Sequence, residues 1–342
     1  MEKLYKPEHF VFAEKQWVQP LVSVRKGEQK LGEGIELCKD FEEIRKSPSV
    51  FAILGILEDV GPRANEGRGG SDSGFFPALK KFLNMQSNQY IDEKKLLLAG
   101  YFDFRNALPE NANLEELRKQ TAKIDEEVAP LIRQIVEIGK IPIVIGGGHN
   151  NCFPIIKGVA EGLKKIHPDF EGAINCVNLD PHADFRPLEG RHSGNGFSYA
   201  VDQGLLKNYA MVALHESYNS RAMLEELEKR HFYFSTYEDI FLRRKWGFKQ
   251  AVQTAYQKVS TSFFGVELDL DSIENIPSSA ETPCGLTTRH ARYYLWLVSQ
   301  SYKCRYLHIA EAAPSLQPGS EEVVGKLIAY LMSDFIKIRD GF

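Results

Sequence analysis

Short apolar runs alternate with amphipathic stretches through most of the chain. Val50–Ile56, Leu96–Gly100, Ile141–Ile145, Ala173–Leu179, Tyr209–Leu214, Phe263–Leu270 and Tyr306–Ala310 read as strands. Between them, Leu114–Ile138 places Leu117, Ile124, Val128, Leu131 and Ile135 at helical spacing. Asn113 is suited to cap this helix, Gly139 to end it and Pro130 to kink it. Arg221–Arg230, Phe248–Val259, Thr287–Ser301 and Glu321–Ile338 read as further helices. Strands that are apolar throughout, separated by helices, imply a parallel sheet covered on both faces. The expected fold is α/β, a three-layer α/β/α arrangement around a central, mostly parallel sheet. Residues 1–45 are less regular, with FVFA and PLVSV set between charges, and are expected to form an extension packed on the main domain. Residues 46–342 hold no linker rich in Pro, Ser or Gly and are expected to form one domain.

In such sheets ligands bind beyond the carboxyl ends of the strands. IPIVI runs into GGGHN and delivers His149; INCVNL runs into DPHADF and delivers Asp180, His182 and Asp184. VELDLD delivers Asp269 and Asp271, and LHIAEA delivers Glu311. Alternate residues of an extended segment share a face, so Asp180, His182 and Asp184 are expected in one crevice, and Asp269 with Asp271 likewise. Carboxylates gathered at the end of an apolar sheet cost several kcal/mol per ion unless they are compensated. Arg186, just beyond DPHADF, is the only nearby cation in these motifs. Divalent cations would compensate, with the histidines as neutral ligands. Hard oxygen donors, two imidazoles and no thiolate argue against structural zinc and for manganese or iron(II). Six ligands suffice for two metals that share carboxylates.

Other site types fit poorly. GGGHNN lacks the GK[ST] of a phosphate-binding loop, NEGRGG lacks the dinucleotide spacing, and no G-x-S-x-G marks a nucleophilic serine. A net charge of -4 over 342 residues gives no basic footprint for nucleic acid. No apolar run reaches the roughly 20 residues of a membrane span, and the first residues lack the apolar core of a signal peptide. Five scattered cysteines without a CxxC pair suit reduced thiols, so a cytoplasmic location is expected.

The chain resembles the ureohydrolase family of arginases, agmatinases and formiminoglutamases. The family's GG-x-H strand end, D-x-H-x-D segment, D-x-D segment and late glutamate stand here, in order, as GGGHN, DPHADF, ELDLD and IAEAAP. The upstream GPRANEGRGGSDSG also looks like the family's early loop, and the likeness spans roughly residues 50 to 335. It implies an arginase-like fold and two divalent metals, most simply Mn2+. One metal would take His149, Asp180, Asp184 and Asp269, the other His182, Asp180, Asp269 and Asp271. Because Glu267, Asp269 and Asp271 alternate, Glu267 with Asp269 stays open as the ligand pair.

Glycine before the histidine, and Phe197 where arginases carry a histidine, resemble the formiminoglutamase branch. That branch implies hydrolysis of N-formimino-L-glutamate to glutamate and formamide, in histidine degradation. Asp184 would carry the proton and Glu311 would orient the amidinium. Ser193, Asn195 and Arg191 would bind substrate, with Arg68 and Arg186 as further carboxylate partners and Phe197 as an apolar pocket wall. A homo-oligomer is implied too. The alternatives are a urea-releasing ureohydrolase, a deacetylase-like enzyme with one metal, and an inactive metal-binding regulator.

Overall fold

The computed structural model describes residues 5–339, so residues 1–4 and 340–342 of the two expected segments lie outside the described residues. The strands are β1 (Phe10–Phe12), β2 (Glu36–Leu37), β3 (Phe51–Leu57), β4 (Leu96–Asp103), β5 (Ile141–Ile145), β6 (Ile174–Leu179), β7 (Leu206–Leu214), β8 (Tyr233–Thr236), β9 (Phe264–Asp269) and β10 (Cys304–Ala310). They form one sheet in the order β1-β4-β3-β5-β10-β9-β6-β7-β8, with β2 also on β4. Every strand pairing is parallel except β1 with β4.

Alternation along each strand builds two cores, one on each face. Phe51, Ile53 and Leu57 of β3 point into one core, and Ala52, Leu54 and Ile56 into the other. The first core is closed by helices that include Phe75–Leu83, Phe248–Val259, Thr288–Val298 and Glu321–Arg339. The second is closed by Leu114–Glu137 and Cys152–Ile166. Both faces are therefore covered, which is why the central strands carry no polar alternation. The fold is α/β, three layers around a mostly parallel sheet.

Several elements differ from the sequence-based expectation. Cys152–Ile166 is a helix that apolar periodicity did not single out. Ten of its residues are buried, and the polar face is narrow, Lys157, Glu161, Lys164 and Lys165, so the period was present but carried by few residues. The short helix Phe75–Leu83 and the short strand β8 were also not expected. Strand β7 begins at Leu206, three residues early, in a stretch where Lys207 is exposed. The helix Leu114–Glu137 runs unbroken through Pro130, and Asn113 caps it, accepting from Glu116 N at 3.0 Å while Glu116 reaches back. Upstream, β1 and β2 both pair with β4, and Asp40 caps the helix Phe41–Lys46.

The order of the strands places β5, β10, β9 and β6 side by side at the centre. Chain order reverses there: the chain leaves β5 for β6, across a gap that β9 and β10 fill later. That reversal opens a crevice at the carboxyl ends of these four strands.

Candidate metal centre

Each central strand ends in a side chain of the site. Strand β5 turns out of the sheet through Gly146 and Gly147, with φ of 90° and 73°. A Cβ on Gly147 would stand 2.4 Å from Asn151 Nδ2 and 3.0 Å from Glu58 Oε1, so both conformation and space require glycine. The fully buried Glu58 organises this turn. It accepts from Gly148 N at 2.7 Å, Gly61 N at 3.0 Å and Asn151 Nδ2 at 2.6 Å. Burial pushes its carboxyl above the usual range, and those donors oppose the push. His149 follows, its backbone N–H donating to Glu311 Oε1 at 2.6 Å.

Asp180 and Asp269 end β6 and β9 in the same way. Asp180 Oδ1 accepts from His182 N and Asp269 Oδ1 from Asp271 N, each at 2.7 Å. One oxygen of each carboxylate is thereby fixed to the backbone two residues on. The other faces the crevice, in Asp180 while also accepting from Asn178 Nδ2. His149 Nδ1 lies 3.0 Å from Asp180 Oδ2, 2.9 Å from Asp184 Oδ2 and 3.0 Å from Asp269 Oδ2. Yet Nδ1 makes no aligned hydrogen bond and is buried without a partner. Short separations without hydrogen-bond alignment are what donor atoms show when they face one common point. Separations near 3 Å match the edges of a polyhedron with bonds of about 2.1 Å. The residues therefore fit a divalent cation.

The second half of the cluster is looser. His182 Nδ1 is 3.5 Å from Asp180 Oδ1 and 3.8 Å from Asp271 Oδ2. Asp271 is held by Ala280 N at 3.0 Å. Two of the site residues carry left-handed backbone, Asp184 at φ 46° and Glu311 at φ 65°. Such conformations persist only where the surroundings impose them. Glu311 Oε2 is buried without a partner.

The electrostatics agree with the geometry. Burial opposes protonation of His149, but Asp180, Asp184 and Asp269 outweigh it and raise its pKa well above normal. His182 is raised to about 10, again against burial, chiefly by Asp180. Asp180 is depressed, as its two histidines outweigh burial, whereas Asp184, Asp269 and Asp271 are pushed up, first by burial. Glu311 is pushed up to about 8 by burial and by Asp271. Four carboxylates cannot all ionise here without added positive charge.

A cleft of about 170 Å³ lies over the cluster, lined by His182, Asp184, Asp269, Asp271, Glu311 and Ser193, among others. Larger hollows of about 630 and 640 Å³ carry no such cluster, and the second adjoins the cleft at Arg186, Tyr218 and Met223. Arg186 lines the cleft and donates to Asn65 Oδ1 at 3.0 Å. Arg68 stands at its mouth, fixed to the Ser278 and Ser279 carbonyls at 3.0 and 3.1 Å.

Three expected substrate contacts lie elsewhere. Arg191 is buried in an ion pair with Asp125 at 2.7 Å, between the rings of Phe153 and Tyr199. Asn195 spends its amide on Arg191 at 2.8 Å, His192 N at 3.1 Å and the Gly190 carbonyl at 2.7 Å. Both brace the loop that presents Ser193 and do not line the cleft. Phe197 is fully buried, edge-on to His149 at 5.4 Å and stacked on Tyr209 at 4.2 Å, so it backs His149 and is no cleft wall. Glu267 stands behind His149, 3.5 Å from Nε2, on the side away from the cluster. Of the two possible pairs, Asp269 and Asp271 are the ones that line the cleft.

Sequence reasoning missed Glu58 and His308, and took Glu267 only as an alternative metal ligand. The available signals were a carboxylate directly after β3 and polar residues inside the otherwise apolar β9 and β10.

Comparisons with known proteins agree with this arrangement. The family model described as "Arginase family" matches residues 65–335. A formimidoylglutamase of Macrococcus caseolyticus is 28% identical over 281 residues, which is 82% of each chain. One of Clostridium tetani is 27% identical over 276 residues, 79% of this chain and 77% of that one. Among solved structures, Trypanosoma cruzi formiminoglutamase with Mn2+2 superposes at a TM-score of 0.72 with 20% identity, covering 92% of this chain and 99% of that one. Bacillus subtilis formimidoylglutamase does so at 0.70 with 14% identity, covering 93% and 94%. At these identities the structures speak for the fold. Because the family match takes in all four strand ends that build the cluster, the chain belongs to the arginase family.

Proposed function

We propose that the protein is a binuclear-metal hydrolase that cleaves the C–N bond of N-formimino-L-glutamate, giving glutamate and formamide. The convergence of His149 Nδ1 with three carboxylate oxygens at 2.9–3.0 Å carries the reading. His149, Asp180, Asp184 and Asp269 would hold one cation, and Asp180, His182, Asp269 and Asp271 the other. Manganese is favoured by the hard donor set and by the T. cruzi relative with Mn2+2. When bound, such a pair supplies a water ionised near neutral pH and a Lewis acid.

The chain's own residues do the rest. Glu311 Oε2, buried and unpaired, accepts from the amidinium nitrogens and orients the reacting carbon. Water adds to that carbon, and the bond to the glutamate nitrogen breaks. The departing amine must gain a proton. Asp184, lining the cleft with a raised pKa, is placed to carry it from the water. Arg186 in the cleft and Arg68 at its mouth are the cationic partners for the substrate's two carboxylates. Ser193 adds a donor.

The choice of formimino substrate is supported by the curated relatives named formimidoylglutamase. A homo-oligomer is proposed with it; light scattering that finds only monomer would reject that part. The deciding assay compares formiminoglutamate, arginine, agmatine and guanidinobutyrate with manganese-loaded protein. Formamide release from the first should have the highest kcat/KM. Faster urea release from a guanidino compound would overturn the substrate and leave the hydrolase standing.

A further inference from the structure

Beneath the cluster, one face of the sheet carries a row of polar residues where apolar ones are expected. Asn178 of β6, Glu267 of β9 and His308 of β10 are direct neighbours in register. All three are fully buried. The same face is otherwise packed with Cys176, Tyr306, Val144 and their like. A buried carboxylate there costs several kcal/mol unless its oxygens are met.

Glu267 is met on three sides. Oε1 accepts from Tyr306 Oη at 2.8 Å, and Oε2 pairs with His308 Nδ1 at 2.6 Å. His308 Nε2 faces the Gly146 carbonyl at 3.4 Å, at the turn that leads to His149. Room for the Tyr306 ring exists only because β9 has Gly265, where a Cβ would stand 1.8 Å from a ring carbon. On the third side His149 Nε2 lies 3.5 Å from Oε2, within reach but not aligned as a hydrogen bond, and it is buried with no hydrogen-bond partner. Its neighbour in the row behaves alike: Asn178 Nδ2 donates to Asp180 Oδ2 at 2.9 Å.

We propose that Glu267, clamped by Tyr306 and His308, is a positioning residue for His149. By accepting the Nε2 proton it fixes the tautomer that leaves the Nδ1 lone pair facing Asp180, Asp184 and Asp269. The metal-binding reading above is its premise. The row is thus a support built into the sheet, and the imidazole is held on its sheet side.

Manganese titration of the metal-free protein tests this, read by the EPR signal of free Mn2+ and by calorimetry. The unmodified protein should bind two ions per chain; binding of none would refute the metal reading itself. Glu267→Gln keeps the shape but sets an amide against two donors. It should weaken one binding step by about 10- to 100-fold and leave the other unchanged. Excess manganese should then restore kcat with KM for substrate unaltered, which a merely structural defect would not allow. Two steps of unmodified affinity in folded Glu267→Gln would overturn the proposal. If that variant does not fold, Tyr306→Phe removes only the hydroxyl clamp. It should weaken the same single step several-fold, and an unchanged titration would overturn the proposal equally.

Discussion

The strand ends of β5, β6, β9 and β10 and the loop Arg191–Phe197 are both polar segments beside the crevice, yet they use their polar atoms in opposite ways. At the strand ends, atoms converge and stay unpaired: His149 Nδ1 and Glu311 Oε2 are buried without hydrogen bonds. In the loop, atoms diverge and are satisfied. Arg191 serves Asp125, Asn195 and the Asn150 carbonyl, and Asn195 serves Arg191, His192 N and two carbonyls. Unpaired burial is tolerable only where something else supplies the missing interaction. The strand ends are therefore built to bind, and most of the loop is built to hold one residue, Ser193, at the cleft.

The largest effect that would break this comparison is at Asp269. It faces His149 Nδ1 and stands at the junction of both proposed metal positions. Asp269→Ala should abolish binding of both ions and lower kcat/KM by about 10³-fold, the equivalent of several kcal/mol of lost metal catalysis. Asp271→Ala should weaken mainly one. Elemental analysis of manganese-soaked protein reads both. A full complement of metal in the Asp269 variant would remove the strand ends from the metal site.

Next comes the loop's ion pair. Arg191→Ala leaves Asp125 buried without its guanidinium, and only 7% of that side chain is exposed. Loss of one partner of such a pair costs about 3–5 kcal/mol of stability. Urea unfolding should show this loss as the main effect, with manganese stoichiometry unchanged and KM in the folded protein raised no more than by loss of the Ser193 contact itself. A large KM increase with intact stability would return Arg191 to the substrate. Ser193→Ala should do the reverse. One hydrogen bond worth about 0.5–1.5 kcal/mol would be lost, raising KM by roughly 2- to 10-fold with stability unchanged. Equal behaviour of the two variants would dissolve the distinction between brace and contact.

The same contrast explains what could be read from the chain. Apolar runs such as IPIVI and INCVNL exclude water on both faces, so their ends had to meet the crevice. The expected period of two does not continue there, because Pro181 and His182 bend, Asp184 is left-handed and Leu270–Ser272 is a 3-10 turn; the candidate ligands converge through turns instead. Nothing comparable constrains HSGNGF. Which of its polar groups face the cleft depends on Asp125, 66 residues away on another helix. Phe197 failed as a wall for the same reason, since its neighbours His149 and Tyr209 come from the turn after β5 and from within β7. The helix Cys152–Ile166 was missed although its period is present, because only Lys157, Glu161, Lys164 and Lys165 mark its narrow polar face. Glu267 was legible only as an oddity, because its partners Tyr306 and His308 lie one strand over.

The smallest effect concerns pH and His192, at the head of the loop. Its ring is buried, and Nδ1 accepts from Gly194 N at 3.1 Å, a bond only the unprotonated nitrogen can make. Burial depresses its pKa to about 4; Glu189 opposes, at 3.1 Å from Nε2, while Arg186 and Arg118 assist. The unfolded value is about 6.5. Above that pH both states carry a neutral ring and the group is silent. As pH falls below 6.5 the unfolded chain takes up a proton that the folded chain refuses, so stability declines until about pH 4. His192→Asn keeps an acceptor for Gly194 N and removes the titration. Urea midpoints from pH 8 to 4 should therefore fall more steeply for the unmodified protein than for the variant, with the curves parting below pH 6.5. Curves that stay parallel would mean that the loop is not closed on a neutral His192. The division between a self-satisfied loop and an unsatisfied strand-end cluster would then lose its best-paired member.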